Sequence, residues 1–234
     1  LHTRVQRIVK GDDGVFTLHA MRSGEAVEYQ AKSVIVTTGV HPRHLHVVGE
    51  KELYGKGVTY CTTCDGPLYR KKRTVTIGGG NSALESALML AELASHATVI
   101  NIHPEFRGEQ VLIDKVLSHP NITVIFNAET KRIEGEMKVS RVVYVDTTTT
   151  EERVVECDGV FIHIGMIPNS DLVPEEVKKN NFKEIEVTLK CQTTVPGLFA
   201  AGDVTAIPYK QIGIATGQGI TATLAAIEYL NGQR

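Results

Sequence analysis

The sequence lacks several features that would assign it to a particular class of protein. It has no tryptophan, and its four cysteines among 234 residues are too few for the disulfide framework of a secreted domain. No apolar run is long enough to cross a bilayer, and the first residues show no signal-peptide pattern. A formal net charge of −2 does not indicate nucleic acid or an anionic membrane as partner. These absences favour a globular protein of the cytoplasm.

The middle of the chain alternates apolar strands with amphipathic helices. In order, the pattern predicts a strand at RTVTI, a helix over NSALESALMLAELAS, a strand at ATVIN, a helix over EQVLIDKVLSHP and a strand at NITVIFN. This alternation is typical of the doubly wound, parallel α/β fold that binds nucleotides.

The two flanks of this region differ from it. Before it, short strands and glycine turns lead to an apolar strand at Val34–Thr37. After it, residues 131–165 switch to period two, which predicts an antiparallel meander ending in a buried strand at Val160–Ile164. A strand then enters a tight turn in TVPGLFAAGD, and a closing helix covers QIGIATGQGITATLAAIEYL.

A glycine turn follows the strand RTVTI. Gly78, Gly80 and Ala83 fit the Gly-x-Gly-x-x-Ala pattern, in which the first glycine allows the turn and the second lets backbone approach a pyrophosphate. Amides at the start of the next helix then face the phosphates. Because a strand precedes the turn and another follows the helix, we interpret it as a dinucleotide site rather than an ordinary helix start.

The end of the next strand normally recognises the adenosine ribose of the dinucleotide. An acid there accepts from a 2′-hydroxyl, whereas arginines pair with a 2′-phosphate. This sequence offers Asn101, Ile102 and His103, with Arg107 further on. The missing arginine pair favours NADH, although Arg107 or a protonated His103 could still meet a phosphate.

Cys61 and Cys64, in VTYCTTCDGPLYR, could be half of a zinc site, a structural disulfide or a redox pair. Zinc needs about four ligands, and the only nearby cluster, His41, His44 and His46, is better explained as a solvated connection. A permanent disulfide does not suit a reducing compartment. We therefore favour the redox interpretation.

Four segments, CTTCDGP, GGGNSALE, IGMIPN and LFAAGD, occur in an order and spacing that resemble one known family. The chain is similar to low-molecular-weight thioredoxin reductases and equally to the flavoprotein (F) subunit of alkyl hydroperoxide reductase. The resemblance implies electron transfer from NADH or NADPH through FAD to the cysteine pair, and then to a protein disulfide. It also implies that Cys64 faces the flavin and Cys61 attacks the partner. Asp65 would move the proton, although a helix-capping role is the alternative.

The resemblance also implies which residues hold the two cofactors. The residues for NAD(P) are Gly78, Gly80, Asn81, Ser82, Glu85, Arg107, Ile164 and Gly165. The residues for FAD are Thr38, Gly39, Gly202, Asp203, Lys210, Gln211 and Ile212.

The expected fold is therefore α/β, with two Rossmann-like, three-layer nucleotide-binding domains. Residues 1–43 and 170–234 would form the FAD domain, and residues 44–169 the NAD(P) domain with the cysteine pair. No Gly-x-Gly-x-x-Gly turn occurs before Gly39, so we expect an FAD domain that is incomplete at its N-terminus. The two crossings between domains would form a hinge.

The expected partner is thioredoxin, or a thioredoxin-like domain or peroxiredoxin system, and the expected assembly is a homodimer. Two alternatives remain open. One is a nucleotide-binding fragment without activity, since the first FAD turn is missing. The other is a flavin-dependent ferredoxin or quinone reductase, against which the cysteine pair argues.

Overall fold

The computed structural model describes residues 2–233, which form two compact units. The central unit comprises residues 42–165, and the discontinuous unit comprises residues 2–41 together with 166–233. The sequence placed the changes of domain at 43–44 and 169–170. Among the described residues, no helix combines the length and hydropathy needed to cross a membrane.

The strands are numbered in chain order. They are β1 (Thr3–Lys10), β2 (Phe16–Arg22), β3 (Glu25–Ala31), β4 (Val34–Val36), β5 (Val40–Pro42), β6 (Val58–Thr59), β7 (Arg73–Ile77), β8 (His96–Ile100), β9 (Ile122–Ile125), β10 (Ala128–Glu134), β11 (Arg141–Asp146), β12 (Glu152–Glu156), β13 (Gly159–Ile162), β14 (Met166–Pro168) and β15 (Leu198–Ala200). The α-helices are α1 (Thr62–Asp65), α2 (Asn81–Leu93), α3 (Gln110–Ser118) and α4 (Ile212–Asn231), and short 3-10 helices cover Gly66–Tyr69 and Gly202–Val204.

The central unit is built on a five-stranded parallel sheet in the order β6-β13-β7-β8-β9. Its inner strands are continuous runs of buried β-branched and aromatic residues, as expected for a sheet that is covered on both faces. Leu84 and Ala87 of α2 pack against Val99 on one face. On the other face, Ile133 and Val142 of the β10-β11-β12 meander share a core with the sheet. The unit therefore has three layers.

The discontinuous unit combines an antiparallel β1-β2-β3 sheet with a parallel β4-β15 pair and helix α4. Buried Ile8, Phe16 and Leu198 belong to one core, which joins the antiparallel sheet to the parallel pair. Phe199 of β15 packs instead against small residues of α4, such as Ala222. Small side chains on α4 let this helix lie close to the strands.

The α/β fold expected from the sequence is confirmed, with some differences in detail. The last strand of residues 131–165 is Gly159–Ile162, and it joins the parallel sheet between β6 and β7. Strand β6 is only two residues long and was not predicted. Two residues are too few to show any periodicity, and the parallel register with β13 places β6 at the edge of the sheet.

Candidate redox and nucleotide-binding site

The candidate residues of the central unit lie at one edge of its parallel sheet. The cysteine segment follows β6, His163 follows β13, the glycine turn follows β7 and Asn101 follows β8. Because these strands are parallel, their carboxyl ends meet at the same edge, which is where open α/β sheets bind ligands. The topology thus brings the cysteine pair and the glycine turn to one side of one sheet.

Cys61 and Cys64 form a disulfide with their Cα atoms 5.3 Å apart. Helix α1 begins directly after Cys61, whose Sγ accepts a hydrogen bond from the backbone N–H of Cys64 at 3.2 Å. Cys61 is half-buried and Cys64 is exposed. A sulfur that receives a backbone N–H at a helix start is suited to carry negative charge, so this position favours a thiolate at Cys61 once the bond is reduced.

Asp65 lies at the end of α1 and is half-buried. Its Oδ2 accepts a hydrogen bond from the Thr59 hydroxyl, and Thr59 Oγ1 in turn accepts the N–H of Cys61 at 3.2 Å. Asp65 is the N-cap residue of the 3-10 helix that follows, but its side chain makes no cap hydrogen bond there, and Cys61 is the N-cap residue of α1. Asp65 is thus linked to Cys61 through one threonine.

A row of hydrogen-bonded side chains, not predicted from the sequence, lies next to the cysteine pair. Thr62 Oγ1 lies 2.6 Å from Ser86 Oγ on α2 and 2.8 Å from His163 Nε2. Thr62 and Ser86 are both buried. The signal available in the sequence was the position of His163, directly after a buried strand at the ligand-binding edge. Burial lowers the pKa of His163 to about 4, so its imidazole is neutral near pH 7.

A second polar cluster lies in the connection that leads to the cysteine segment. Glu50 is 4% exposed and accepts the N–H groups of Leu45 and His46 at 3.0 and 2.7 Å, as well as the hydroxyl of Tyr60 at 2.8 Å. Burial alone would raise the pKa of Glu50, but these hydrogen bonds hold it below the ordinary value. Burial and the Glu50 carboxylate raise the pKa of Tyr60. This cluster fixes the residue that immediately precedes Cys61.

The glycine turn has the geometry that a pyrophosphate site requires. Gly78 has φ +140°, and a Cβ there would overlap the carbonyl oxygen of His163 and crowd Ala83. At Gly80, a Cβ would meet nothing within 4 Å, so the backbone faces open space. Helix α2 starts at this point without a side-chain cap, which leaves the first amides for a ligand. These residues fit a dinucleotide pyrophosphate.

The other residues predicted for the nucleotide surround this turn. Asn81 pairs with Glu109, accepting its N–H at 2.7 Å and donating to its side chain at 3.0 Å, whereas Ser82 and Glu85 are exposed on α2. Arg107 donates its backbone N–H to Gly79 at 2.8 Å, so its exposed side chain starts beside the glycine turn.

Ile164 and Gly165 were also assigned to the nucleotide. They follow His163 at the end of β13, where Ile164 is half-buried and Gly165 is exposed with φ +112°. The predicted NAD(P) residues thus lie in the glycine turn, in the first turns of α2 and in the segments that follow β8 and β13.

Asn101 occupies the position that normally reads the ribose, and its side chain is used within the protein. It is 2% exposed. Its Nδ2 donates to the Glu105 carbonyl at 2.8 Å, and its Oδ1 accepts the His103 N–H at 3.4 Å. Asn101 therefore organises the loop that carries His103 and Arg107.

The discontinuous unit brings the main predicted FAD residues to a second sheet edge. Strands β4 and β15 are parallel neighbours, so Thr38 and Gly39 end beside Gly202 and Asp203. Gly202 has φ +75° and donates its N–H to Gln218 at 2.7 Å. The Asp203 carboxylate makes no hydrogen bond within residues 2–233 and is half-buried. A free carboxylate and two glycines at this edge fit the ribityl chain of a flavin.

The remaining predicted FAD residues lie before and at the start of α4. Lys210 donates to the Thr205 carbonyl at 2.6 Å and pairs with Glu184 at 2.8 Å, so its charge is used within the unit. Gln211 is the residue before the helix, and Ile212 is 88% exposed at its first position. The unit leaves Ile212 uncovered.

The residues considered for zinc do not form a metal site. His41, His44 and His46 are exposed, and the described part of the chain contains no cluster of three or more metal-binding side chains. Cys157 and Cys191 are buried and unpaired. Burial raises the pKa of Cys157 to about 12, which suits a packing role rather than a reactive one.

Curated relatives cover most of this chain. It is 43% identical over 214 residues to the F component of alkyl hydroperoxide reductase of Escherichia coli, an alignment that covers 91% of this chain and 41% of the relative. It is 44% identical over 227 residues to an NADH dehydrogenase of Bacillus subtilis, and this alignment covers 97% of this chain and 44% of the relative. The chain thus spans less than half the length of these relatives.

Solved structures and a family profile agree with this similarity. Thioredoxin reductase from Streptococcus pyogenes superimposes with a TM-score of 0.88 at 32% identity, over 98% of this chain and 74% of that one. Thioredoxin reductase from Giardia duodenalis superimposes with a TM-score of 0.91 at 27% identity, over 99% of this chain and 75% of that one. The profile of the pyridine nucleotide-disulphide oxidoreductases matches residues 1–225. The chain therefore belongs to the pyridine nucleotide-disulphide oxidoreductase family.

Proposed function

We propose that this chain is the core of a flavoprotein disulfide reductase that works through Cys61 and Cys64. One observation carries the proposal most directly. A disulfide at the start of a short helix shares a sheet edge with a glycine turn that fits a dinucleotide. Redox pairs in Cys-x-x-Cys segments use such a helix start to stabilise a thiolate.

In this proposal, NAD(P)H would supply two electrons through bound FAD, and these electrons with two protons would reduce the disulfide to a dithiol. The Cys61 thiolate then attacks a disulfide of the protein partner, forming a mixed disulfide and releasing one partner thiolate. Cys64 attacks the Cys61 sulfur, which restores the internal disulfide and releases the second partner thiolate. The pair loses two electrons, and the partner gains two electrons and two protons.

Asp65 is suited to exchange protons with the pair. Its carboxylate is connected to the Cys61 backbone through Thr59 and lies in the same short helix as Cys64. We propose that it accepts a proton as a thiol becomes a thiolate and returns it when the pair is reduced.

NADH is the proposed electron donor. The buried Asn101 side chain is used within its loop, and no pair of adjacent arginines follows it. One relative, from Bacillus subtilis, is named as an NADH dehydrogenase. Both observations support NADH over NADPH.

The proposed partner is thioredoxin, or a thioredoxin-like domain feeding a peroxiredoxin. With a peroxiredoxin as the final acceptor, the chain would be an NADH-dependent core of the alkyl hydroperoxide reductase F type, which is the alternative role. The 43% identity to the F subunit of Escherichia coli supports this alternative. A homodimer in the cytoplasm completes the proposal.

The test compares Cys61→Ser with Cys191→Ser, a buried cysteine that lies in the discontinuous unit. In the full-length gene product with FAD and NADH, Cys61→Ser is expected to keep flavin bleaching by NADH and to lose turnover of a protein disulfide. Cys191→Ser should keep both activities. Unchanged turnover in Cys61→Ser would refute the proposal, whereas transfer to ferredoxin or quinone that is independent of Cys61 would support the alternative class of reductase.

A further inference from the structure

Helix α1, which carries the cysteine pair, cannot hold its own position. It consists of four residues, Thr62–Asp65. A single turn gains one or two internal hydrogen bonds while fixing several backbone dihedrals, so isolated helices of this length do not form. The geometry around the two sulfurs therefore depends on side chains that tie the turn to the rest of the central unit.

Two sets of side-chain hydrogen bonds connect α1 to the rest of the central unit, one at each end of the helix. At its end, Asp65 accepts the hydroxyl of Thr59. At its start, Thr62 reaches into the unit, where its hydroxyl lies 2.6 Å from Ser86 Oγ and 2.8 Å from His163 Nε2. Ser86 Oγ is itself 3.5 Å from Thr76 Oγ1 on the sheet. Thr62 stands between the two cysteines in sequence, so its position directly affects both.

His163 is held rigidly at its place in this chain. Its backbone N–H donates to Ile77 at 2.8 Å, and its carbonyl lies against Gly78 in the glycine turn. Its pKa is lowered to about 4 by burial alone, and no charged side chain is a cause of this shift. The ring is therefore a neutral hydrogen-bonding group fixed to the sheet.

We propose that His163 is a positioning residue for the redox pair: through Thr62 it holds the helical turn in which Cys61 Sγ receives the N–H of Cys64. This inference rests on the proposed function of the pair. It assigns to His163 a role beyond the binding of nucleotide or flavin.

The role predicts a direction for the redox equilibrium. Reduction by dithiothreitol adds two electrons and two protons to the disulfide, and dithiothreitol becomes a cyclic disulfide. An N–H aimed at Cys61 stabilises its thiolate and hence the reduced form, which makes the pair easier to reduce. Without the contact between His163 and Thr62, α1 is less well fixed, and the N–H of Cys64 stabilises the Cys61 thiolate less. The equilibrium should then shift towards the disulfide.

The experiment equilibrates the 234-residue chain with ratios of reduced and oxidised dithiothreitol, quenches with acid and alkylates the free thiols. Trypsin releases residues 57–70, which contain Cys61 and Cys64 and no other cysteine, so mass spectrometry reports this pair alone. We expect His163→Leu to shift the equilibrium constant about tenfold towards the disulfide, which corresponds to about 30 mV. His163→Gln keeps a polar group near Thr62 and should stay within about twofold of the wild type.

Thr62→Val removes the same contact from the other end and serves as the second variant if His163→Leu does not fold. Thr62→Val also removes the contact with Ser86, so it should shift the equilibrium in the same direction and at least as far. The double variant should shift no further than Thr62→Val alone, because Thr62→Val already breaks the contact with His163. His96→Leu is the matched control, because His96 Nε2 also contacts a threonine, Thr123, at 2.9 Å, but at the amino end of β8 and therefore at the opposite edge of the sheet. It should leave the equilibrium unchanged.

Two results would overturn the role of His163. One is an equilibrium constant in folded His163→Leu and Thr62→Val within about twofold of the wild type. The other is an equal shift in His96→Leu, which would show a general effect of stability. Failure of the proposed function looks different: NADH and FAD would leave the wild-type pair oxidised in the full-length gene product, while the shifts with dithiothreitol persisted.

Discussion

At the scale of single residues, Gly78 and Gly80 carry different constraints within one turn. Gly78 combines φ +140° with an overlap between any Cβ and the His163 carbonyl. Gly80 has an ordinary φ of −96° and open space where a Cβ would lie. The first glycine is required by the fold, and the second by the ligand that we propose.

We predict that Gly78→Ala destabilises the chain by about 3 kcal/mol, because strain at positive φ adds to a backbone overlap. Gly80→Ala should keep the free energy of unfolding and weaken NADH binding about tenfold or more, since the methyl group occupies the approach of the pyrophosphate. Urea unfolding and NADH titration of the two variants test this difference. Tight NADH binding by folded Gly80→Ala would contradict the assignment of the turn.

His163 gives a second prediction, on the pH dependence of stability. Its pKa is lowered to about 4 in the folded chain, whereas an unfolded histidine has a pKa of about 6.5. As the pH falls from about 6.5 to about 4, the unfolded chain gains a proton that the folded chain does not, so stability is lost across this window. The loss reaches about 2 to 3 kcal/mol at about pH 4.5.

His163→Gln should remove this part of the loss, which is measured by urea unfolding near pH 7 and pH 4.5. The quantity to compare is the difference between wild type and variant, because this difference isolates the contribution of position 163. Identical pH profiles would show that the buried ring is not the group responsible.

The sequence indicated the residues of the proposed redox and nucleotide sites better than the residues that contact them. Cys61, Cys64 and Gly78 belong to short patterns whose spacing has a mechanical reason. Thr62 and His163 lie in no such pattern, because their contact joins positions 101 residues apart. Only the folded arrangement, in which α1 lies beside α2 and the segment after β13, brings these two together.

At the scale of elements, the connection before β6 is more ordered than its polar composition suggests. Buried Glu50 accepts the N–H groups of Leu45 and His46 and the hydroxyl of Tyr60. One carboxylate thus folds the segment and fixes the residue next to Cys61. A sequence window cannot show this, since a glutamate in a polar stretch is usually exposed.

We predict that Glu50→Ala lowers the free energy of unfolding by about 3 kcal/mol, because it leaves buried donors without an acceptor. Glu52→Ala is the matched control, as Glu52 is an exposed neighbour that accepts one N–H, from Gly49, at 3.0 Å. Glu52→Ala should lower the free energy of unfolding by about 1 kcal/mol or less. Urea unfolding near neutral pH compares the two, and equal losses would show that the Glu50 cluster does not organise the connection.

The longer helices and strands could be predicted from the periodicity of apolar residues, whereas the order of the strands in the sheet could not. The strands β7, β8 and β9 and the helices α2 and α3 lie where their apolar patterns predicted them. The insertion of β13 between β6 and β7 depends on pairing between residues such as Val160 and Val75. That pairing brings His163 next to the glycine turn, so the site could only be partly predicted.

At the scale of the whole molecule, the chain is two compact units, each with a parallel sheet edge to which we assign one cofactor. We predict that NADH slows amide hydrogen exchange in residues 78–85 of the central unit. FAD should instead slow exchange in residues 37–39 and 202–205 of the discontinuous unit, because each ligand binds to one sheet edge. Exchange followed by mass spectrometry tests this, and protection by NADH confined to the discontinuous unit would contradict the assignment.

The central claim is that electrons from a pyridine nucleotide open the disulfide between Cys61 and Cys64. The most direct measurement counts free thiols in tryptic peptide 57–70 after the full-length gene product, saturated with FAD, is reduced anaerobically by NADH. The account predicts that both thiols of this peptide become alkylated, and that neither does when NADH or FAD is omitted. A peptide that stays oxidised while the flavin is bleached would contradict it.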